Sequence, residues 1–283
     1  MYLRHMYGKQ TPDADGAAKY HPNPEREIIL LRVLNHLRSM PSSDRRITSN
    51  FMNEFKISCG ELDFKSAKPA KGNAFLELCP IAKFEQLAEM HAFHSIEQMY
   101  PELMGSNFHD SYHVAEQIKS YLYSCYELEY FTWRASWDFW VVPKLVLEKG
   151  LRHMKKTTAV MWRVETVLRY ENDAFPHVNC VLEGTKTLKE DELLFSEVRC
   201  LLVLALTMLH ERSNEVHKIT PITIVSICAY EVRIVQGYVD FGTGNIVINK
   251  TPIVRLVEDG SVREDHFMTI VRWLVGTPVG RTT

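Results

Sequence analysis

Apolar residues Ile28, Leu31, Leu34 and Leu37 recur at helical spacing behind Asn23-Pro24-Glu25. That triplet supplies a cap residue, a proline at the first helical position and an acidic first turn, so a helix is predicted over about 23–38. Pro41-Ser42-Ser43-Asp44 stops it. Residues 1–22 lack such periodicity and read as a loose tail. From Ile47 to Cys79, short apolar runs are interrupted by Gly60, Pro69 and Gly72, which predicts a loop-rich or hairpin region. Between Ile81 and about Lys149 the period is helical again, with Phe84, Leu87, Ala88 and His91 on one stripe and Ala115, Ile118, Leu122 and Tyr126 on another. The expected arrangement is a helical hairpin turning near Pro101 and Gly105. Met161, Val164 and Leu168 extend the pattern into a further helix over about 158–171, and Val178 to Leu182 reads as a short strand.

Later in the chain, Thr187-Leu188-Lys189-Glu190 fits a capping box, predicting a helix from about Lys189 to Arg212. Between Cys200 and Leu209 its apolar positions nearly surround the axis, so it should be buried on several sides. Three segments rich in β-branched residues follow, Ile219–Cys228, Glu231–Asp240 and Ile246–Val257, and they predict an antiparallel meander. Pro252 cannot donate to a ladder and should break the third strand or hold it at an edge. Ser261-Val262-Arg263-Glu264 resembles a second capping box, opening a helix through Phe267, Ile270, Val271 and Leu274. The fold class expected is α+β: a helical N-terminal layer packed on a small, mainly antiparallel C-terminal sheet, with a buried central helix. A single domain over 23–278 is expected, the alternative being a helical part (23–172) and an α+β part (173–278).

Composition changes little in that picture. The chain has 283 residues, 46% of them hydrophobic and 24% charged, and its formal charge of −2 gives no general attraction to polyanions. The first 20 residues contain no apolar run of signal-peptide type, and the most apolar stretch, Val198 to Leu209, is too short to span a bilayer. Six scattered cysteines with no CxxC pair read as reduced thiols. A cytoplasmic or otherwise intracellular protein without a membrane segment is expected.

Histidines form the first chemical cluster. His91 and His94 are three apart, His109 and His113 four apart, and Glu116 falls on the face of the latter pair. Imidazoles and a carboxylate so grouped fit zinc or iron, provided another element covers that face. His-Asp-Ser-Tyr-His lacks the glutamate of the zinc-protease motif, and the alternative is a set of solvated or core histidines.

Ten aromatics between residues 112 and 140, among them Tyr121, Tyr123, Tyr126, Trp133, Trp137 and Trp140, precede the basic group Lys144, Lys149, Arg152, Lys155 and Lys156. These rings could build core, a pocket for a small hydrophobic ligand, or a surface for single-stranded nucleic acid. Nuclease chemistry needs carboxylates for a divalent metal beside a lysine, usually on adjoining strands. Asp63-Phe64-Lys65 offers one acid and lysine, Glu183 with Lys186 another, and neither has a partner acid on a preceding predicted strand. Gly242-Thr243-Gly244 joins two strands and reads as a turn rather than a phosphate cradle.

Phe195-Ser-Glu-Val-Arg199, Ile219-Thr-Pro-Ile-Thr-Ile-Val-Ser226 and Val232-Arg-Ile-Val-Gln-Gly-Tyr-Val-Asp240 resemble the C-terminal part of an uncharacterised protein group of filamentous ascomycete fungi. The resemblance covers about residues 190–258. It implies a fungal intracellular origin and an accessory role in specialised metabolism or defence, and it carries over no functional residue. The reading placed first is a non-catalytic protein that binds a partner or small hydrophobic ligand. The alternative is a metal-dependent enzyme using His109, His113 and Glu116 with His91 or His94. Behind both stands a nuclease-like or nucleic-acid-binding protein.

Overall fold

A computed structural model describes residues 23–40, 46–83, 111–127, 137–139, 152–153, 162–170, 172 and 174–283, with the backbone alone for 112–113, 123–127, 137–139, 152–153 and 212. Its long helices are α1 (Pro24–Ser39), α2 (Ser111–Glu127), α3 (Phe195–Leu209) and α4 (Glu264–Leu274). The strands of the largest sheet, in chain order, are β1 (Ile57–Glu61), β2 (Trp137–Phe139), β3 (Arg152–His153), β4 (Trp162–Tyr170), β5 (Val178–Gly184), β6 (Ile222–Cys228), β7 (Glu231–Asp240), β8 (Asn245–Lys250) and β9 (Val254–Arg255). The class is α+β, with the larger sheet in the C-terminal half.

The path across the sheet runs β1-β8-β7-β6-β5-β4-β2, while β3 pairs with β4 and β9 with β7. Most neighbours are antiparallel, but β5 runs parallel to β6 and β1 parallel to β8. A parallel pair needs a crossover, and α3 supplies it between β5 and β6. The sheet is thus wider than the three predicted strands. Segment 162–170, expected to be helical, is a strand. Helices cover both faces: α1 and α3 share one core cluster with Trp162, Val164, Leu182 and Val235, whereas α2 and α4 share the other with Leu168, Val181, Ile227 and Ile234.

Local chemistry explains several boundaries. Asn23 Oδ1 accepts from the Glu25 N–H at 2.9 Å, so α1 begins at its predicted cap. The capping box expected at Thr187–Glu190 is not formed. Glu197 does that work instead, accepting from Leu194 N at 2.7 Å, and α3 starts at Phe195. Ser261–Val262 is a short strand, so the second predicted box is also displaced and α4 begins at Glu264. Between β7 and β8, Asp240 accepts from Gly242 N and the Thr243 hydroxyl, making the turn that the sequence predicts. Strand β8 ends at Lys250, ahead of Pro252, as a missing donor requires.

The close seat of α3 on the sheet depends on Gly237, where an added Cβ would lie 2.5 Å from Leu201 Cδ1 and 2.7 Å from Val247 O. A buried ion pair completes the seat: Arg233 on β7 and Glu197 on α3 both have side chains with no solvent exposure. Among the described residues no helix is long and apolar enough to cross a membrane, and Cys59, Cys79, Cys180, Cys200 and Cys228 are free thiols.

Candidate functional site

The chemically richest place among the described residues lies where α2 crosses the start of β4 and the end of β5. Ala115, Ile118 and Leu122 bury one side of α2 against the sheet. At the first residue of α2, the Ser111 hydroxyl donates to Gly184 O at 2.7 Å, fastening the helix to the end of β5. The register of β4 and β5 pairs Arg163 with Glu183 and then shifts between Val164 and Thr166. This bulge inserts Glu165 into the alternation and frees its carboxylate to reach α2.

Five charged side chains meet there. Lys119 Nζ donates to Glu116 Oε1 and Glu165 Oε1, each at 3.1 Å. Arg163 Nε forms ion pairs with Glu165 Oε2 at 2.9 Å and Glu183 Oε1 at 2.5 Å. Glu165 and Glu183, on adjoining antiparallel strands, therefore sit within the reach of one guanidinium. Their side chains are only 12% exposed, against 30% for Glu116. Thr166, which follows Glu165 and pairs in register with Val181 on the α2 face, is 6% exposed, and its hydroxyl has no hydrogen-bond partner among the described residues.

Glu165 and Glu116 have different proton affinities. Burial, then the hydrogen bond with Glu116, pushes Glu165 above the ordinary glutamate range. The same hydrogen bond, seen from Glu116, holds that group below it, with Lys119 adding to the effect. Carboxyls sharing a site behave this way, with Glu165 carrying the common proton first. Burial works to depress the Lys119 ammonium, but Glu116 and Glu165 outweigh it and raise its pKa. Lys119 is therefore a fixed positive charge.

Of the five residues predicted as metal ligands, His91, His94 and His109 lie outside the described residues. His113 is placed on α2 by its backbone. Glu116 is brought to the charged cluster just described. Among the described residues no three His, Cys, Asp or Glu side chains are gathered so as to hold a metal ion. Lys119 and Arg163 stand between the carboxylates.

The other candidates divide clearly. Asp63 accepts from the Ser66 N–H and hydroxyl, each at 2.7 Å, and closes a turn. Lys186 has no place in the cluster's contacts. Of the aromatic group, Tyr121 packs edge-on against Phe267 in the core. Tyr123 and Tyr126 on α2 and Trp137 on β2 are described by backbone alone, and Trp133 and Trp140 lie outside the described residues.

Sequence reasoning reached Glu116 and Glu183 separately and missed Glu165, Lys119 and Arg163. The signal for Glu165 was the strand it lies on. The chain matches no protein-family model, no curated protein and no solved structure, so its chemistry is read from this geometry.

Proposed function

We propose that the chain is a nuclease-like hydrolase of phosphodiesters whose Glu165 and Glu183, ion-paired to Arg163 in this structure, would have to exchange that partner for a divalent cation. One observation carries this reading: two half-buried to buried acids on neighbouring antiparallel strands with an ammonium group, Lys119, 3.1 Å from one of them. Glu165 is the partner acid on an adjoining strand that Glu183 lacked in the sequence alone. Oxygen-only ligands suit a hard cation such as Mg²⁺ or Mn²⁺ rather than zinc.

Each side chain has a role that its environment supports. Glu165 and Glu183 would be the cation's ligands, and the cation would supply a water of lowered pKa. Glu116, the most exposed of the three, would be placed to pass a proton to solvent. Lys119 stays charged and offsets the negative charge that builds on the phosphoryl oxygens as the water O–P bond forms and the ester P–O bond breaks. The leaving oxygen takes its proton from water.

The test is a crystal grown with Mn²⁺ and measured at the manganese absorption edge. An anomalous peak at coordination distance from both Glu165 and Glu183 supports the reading, and a peak elsewhere or none contradicts it. Of the aromatic residues named for the ligand-binding reading, Tyr121 is core.

A further inference from the structure

A row of neutral polar side chains crosses the sheet on the face that α4 covers. Thr223 on β6 is paired in register with Asn179 on β5 and with Gln236 on β7, and Gln236 in turn with Asn249 on β8. Residues directly paired across a ladder point to the same face, so these four side chains stand side by side. All four are buried, from 1% exposed at Asn179 to 9% at Asn249. Their hydrogen bonds do not close among themselves. Asn179 Nδ2 is spent on α4, donating to Leu274 O at 2.8 Å and to Trp273 O at 3.3 Å. Gln236 Nε2 donates to Thr223 Oγ1 at 3.2 Å. Asn249 Oδ1 lies over Gly60 on β1, where an added Cβ would be 2.4 Å from it. Gln236 Oε1 is left without a partner, in a residue only 2% exposed. Turning the amide over would hand that oxygen to the Thr223 hydroxyl and orphan the nitrogen instead.

We infer that the Gln236 amide and the Thr223 hydroxyl form a binding site for one ordered water molecule on the α4 face of the sheet. Buried polar groups that lack a protein partner are commonly satisfied in this way. Water is donor and acceptor in one, so it serves either orientation of the amide. The Thr223 hydroxyl accepts from Gln236 and has its own proton to give, which supplies the second bond. A charged occupant does not fit, because no member of the row carries a counter-charge. The next position along β7 on this face is Tyr238, half-buried, with the Phe75 ring edge-on at 5.0 Å. The site thus lies one side chain inward from a partly open rim, through which water can exchange. It is independent of the charged cluster at α2.

The experiment is a crystal structure of the full chain, wild type and Gln236→Leu, grown and cooled without polyols and measured to a resolution that shows ordered solvent. Wild type is expected to show a single-atom peak within hydrogen-bonding distance of both the Gln236 amide and the Thr223 hydroxyl. That peak should be lost in Gln236→Leu, while Asn179 keeps its bonds to Trp273 and Leu274. No peak in wild type overturns the inference. A peak that persists in folded Gln236→Leu overturns it too, since other groups would then hold the water. Extended density would make the occupant an organic molecule and overturn the assignment to water. If Gln236→Leu does not fold, Thr223→Val takes its place, and a peak undiminished in that variant overturns the site.

Discussion

Glu197 and Arg233 face each other across the seam between α3 and the sheet, both without solvent exposure, joined by hydrogen bonds of 2.8 and 2.5 Å. Arg233 also donates to Lys189 O and Glu192 O, at 2.8 and 2.7 Å, and so ties the loop before α3 to β7. Removing one partner leaves the other charge buried and unpaired. Arg233→Met is therefore expected to cost about 3–5 kcal/mol in urea unfolding. The double variant Glu197→Gln/Arg233→Met should cost less than the two single variants together, because it leaves no orphaned charge. Additive losses would show that the pair acts only through packing.

Gly237 sets how closely α3 approaches β7. Gly237→Ala places a methyl 2.5 Å from Leu201 Cδ1 and 2.7 Å from the Val247 carbonyl oxygen. The backbone contact cannot yield by a rotamer change, so a loss of about 1–3 kcal/mol is expected. A melting temperature within a degree of wild type would contradict it.

His177 links stability to pH. Its ring is walled by Phe75 and Phe175, and burial lowers its pKa from 6.5 to about 4. The unfolded chain thus takes up a proton that the folded chain refuses. Stability from this group is complete above about pH 6.5 and falls as pH drops towards 4, by up to about 3 kcal/mol. In His177→Phe the urea midpoint should decline less steeply over that window. Parallel declines would assign the effect to other groups.

Sequence patterns located the elements that have one dominant local cause. Asn23 caps α1, Asp240 fixes the turn after β7, and Glu231–Asp240 has the bounds read from its β-branched residues. Strand β4 was hidden because the sheet is covered on both faces. Val167 and Leu168 are adjacent yet both buried, one towards each core. That erases the period of two and leaves Met161, Val164 and Leu168 to mimic a helix. The bulge at Glu165 removes what alternation remains. Capping boxes misled for a different reason: Glu190 is spent on Ile253 N, at 2.9 Å, a partner 63 positions away. Lys119 stands three residues after Glu116 on α2, and spacing alone cannot reveal its further partner Glu165 on β4.

Lys119 separates binding from chemistry. Lys119→Met should lower phosphodiester cleavage by about 10²-fold, the usual effect of removing one preorganised charge. It should leave Mn²⁺ affinity unchanged or tighter, because a cation near Glu165 has been removed. Measuring both quantities on the same preparation checks this. A loss of affinity together with rate would make Lys119 a structural support for the carboxylates instead.

The central claim is that Glu165 and Glu183 form a working metal site. Cleavage of end-labelled single- and double-stranded DNA and RNA, with Mg²⁺ or Mn²⁺ and with chelator, tests it most directly. The expected result is metal-dependent cleavage by wild type that falls by at least about 10²-fold in the folded variants Glu165→Gln and Glu183→Gln. Metal-dependent cleavage that survives intact in the double variant, or none on any of these substrates, would contradict it.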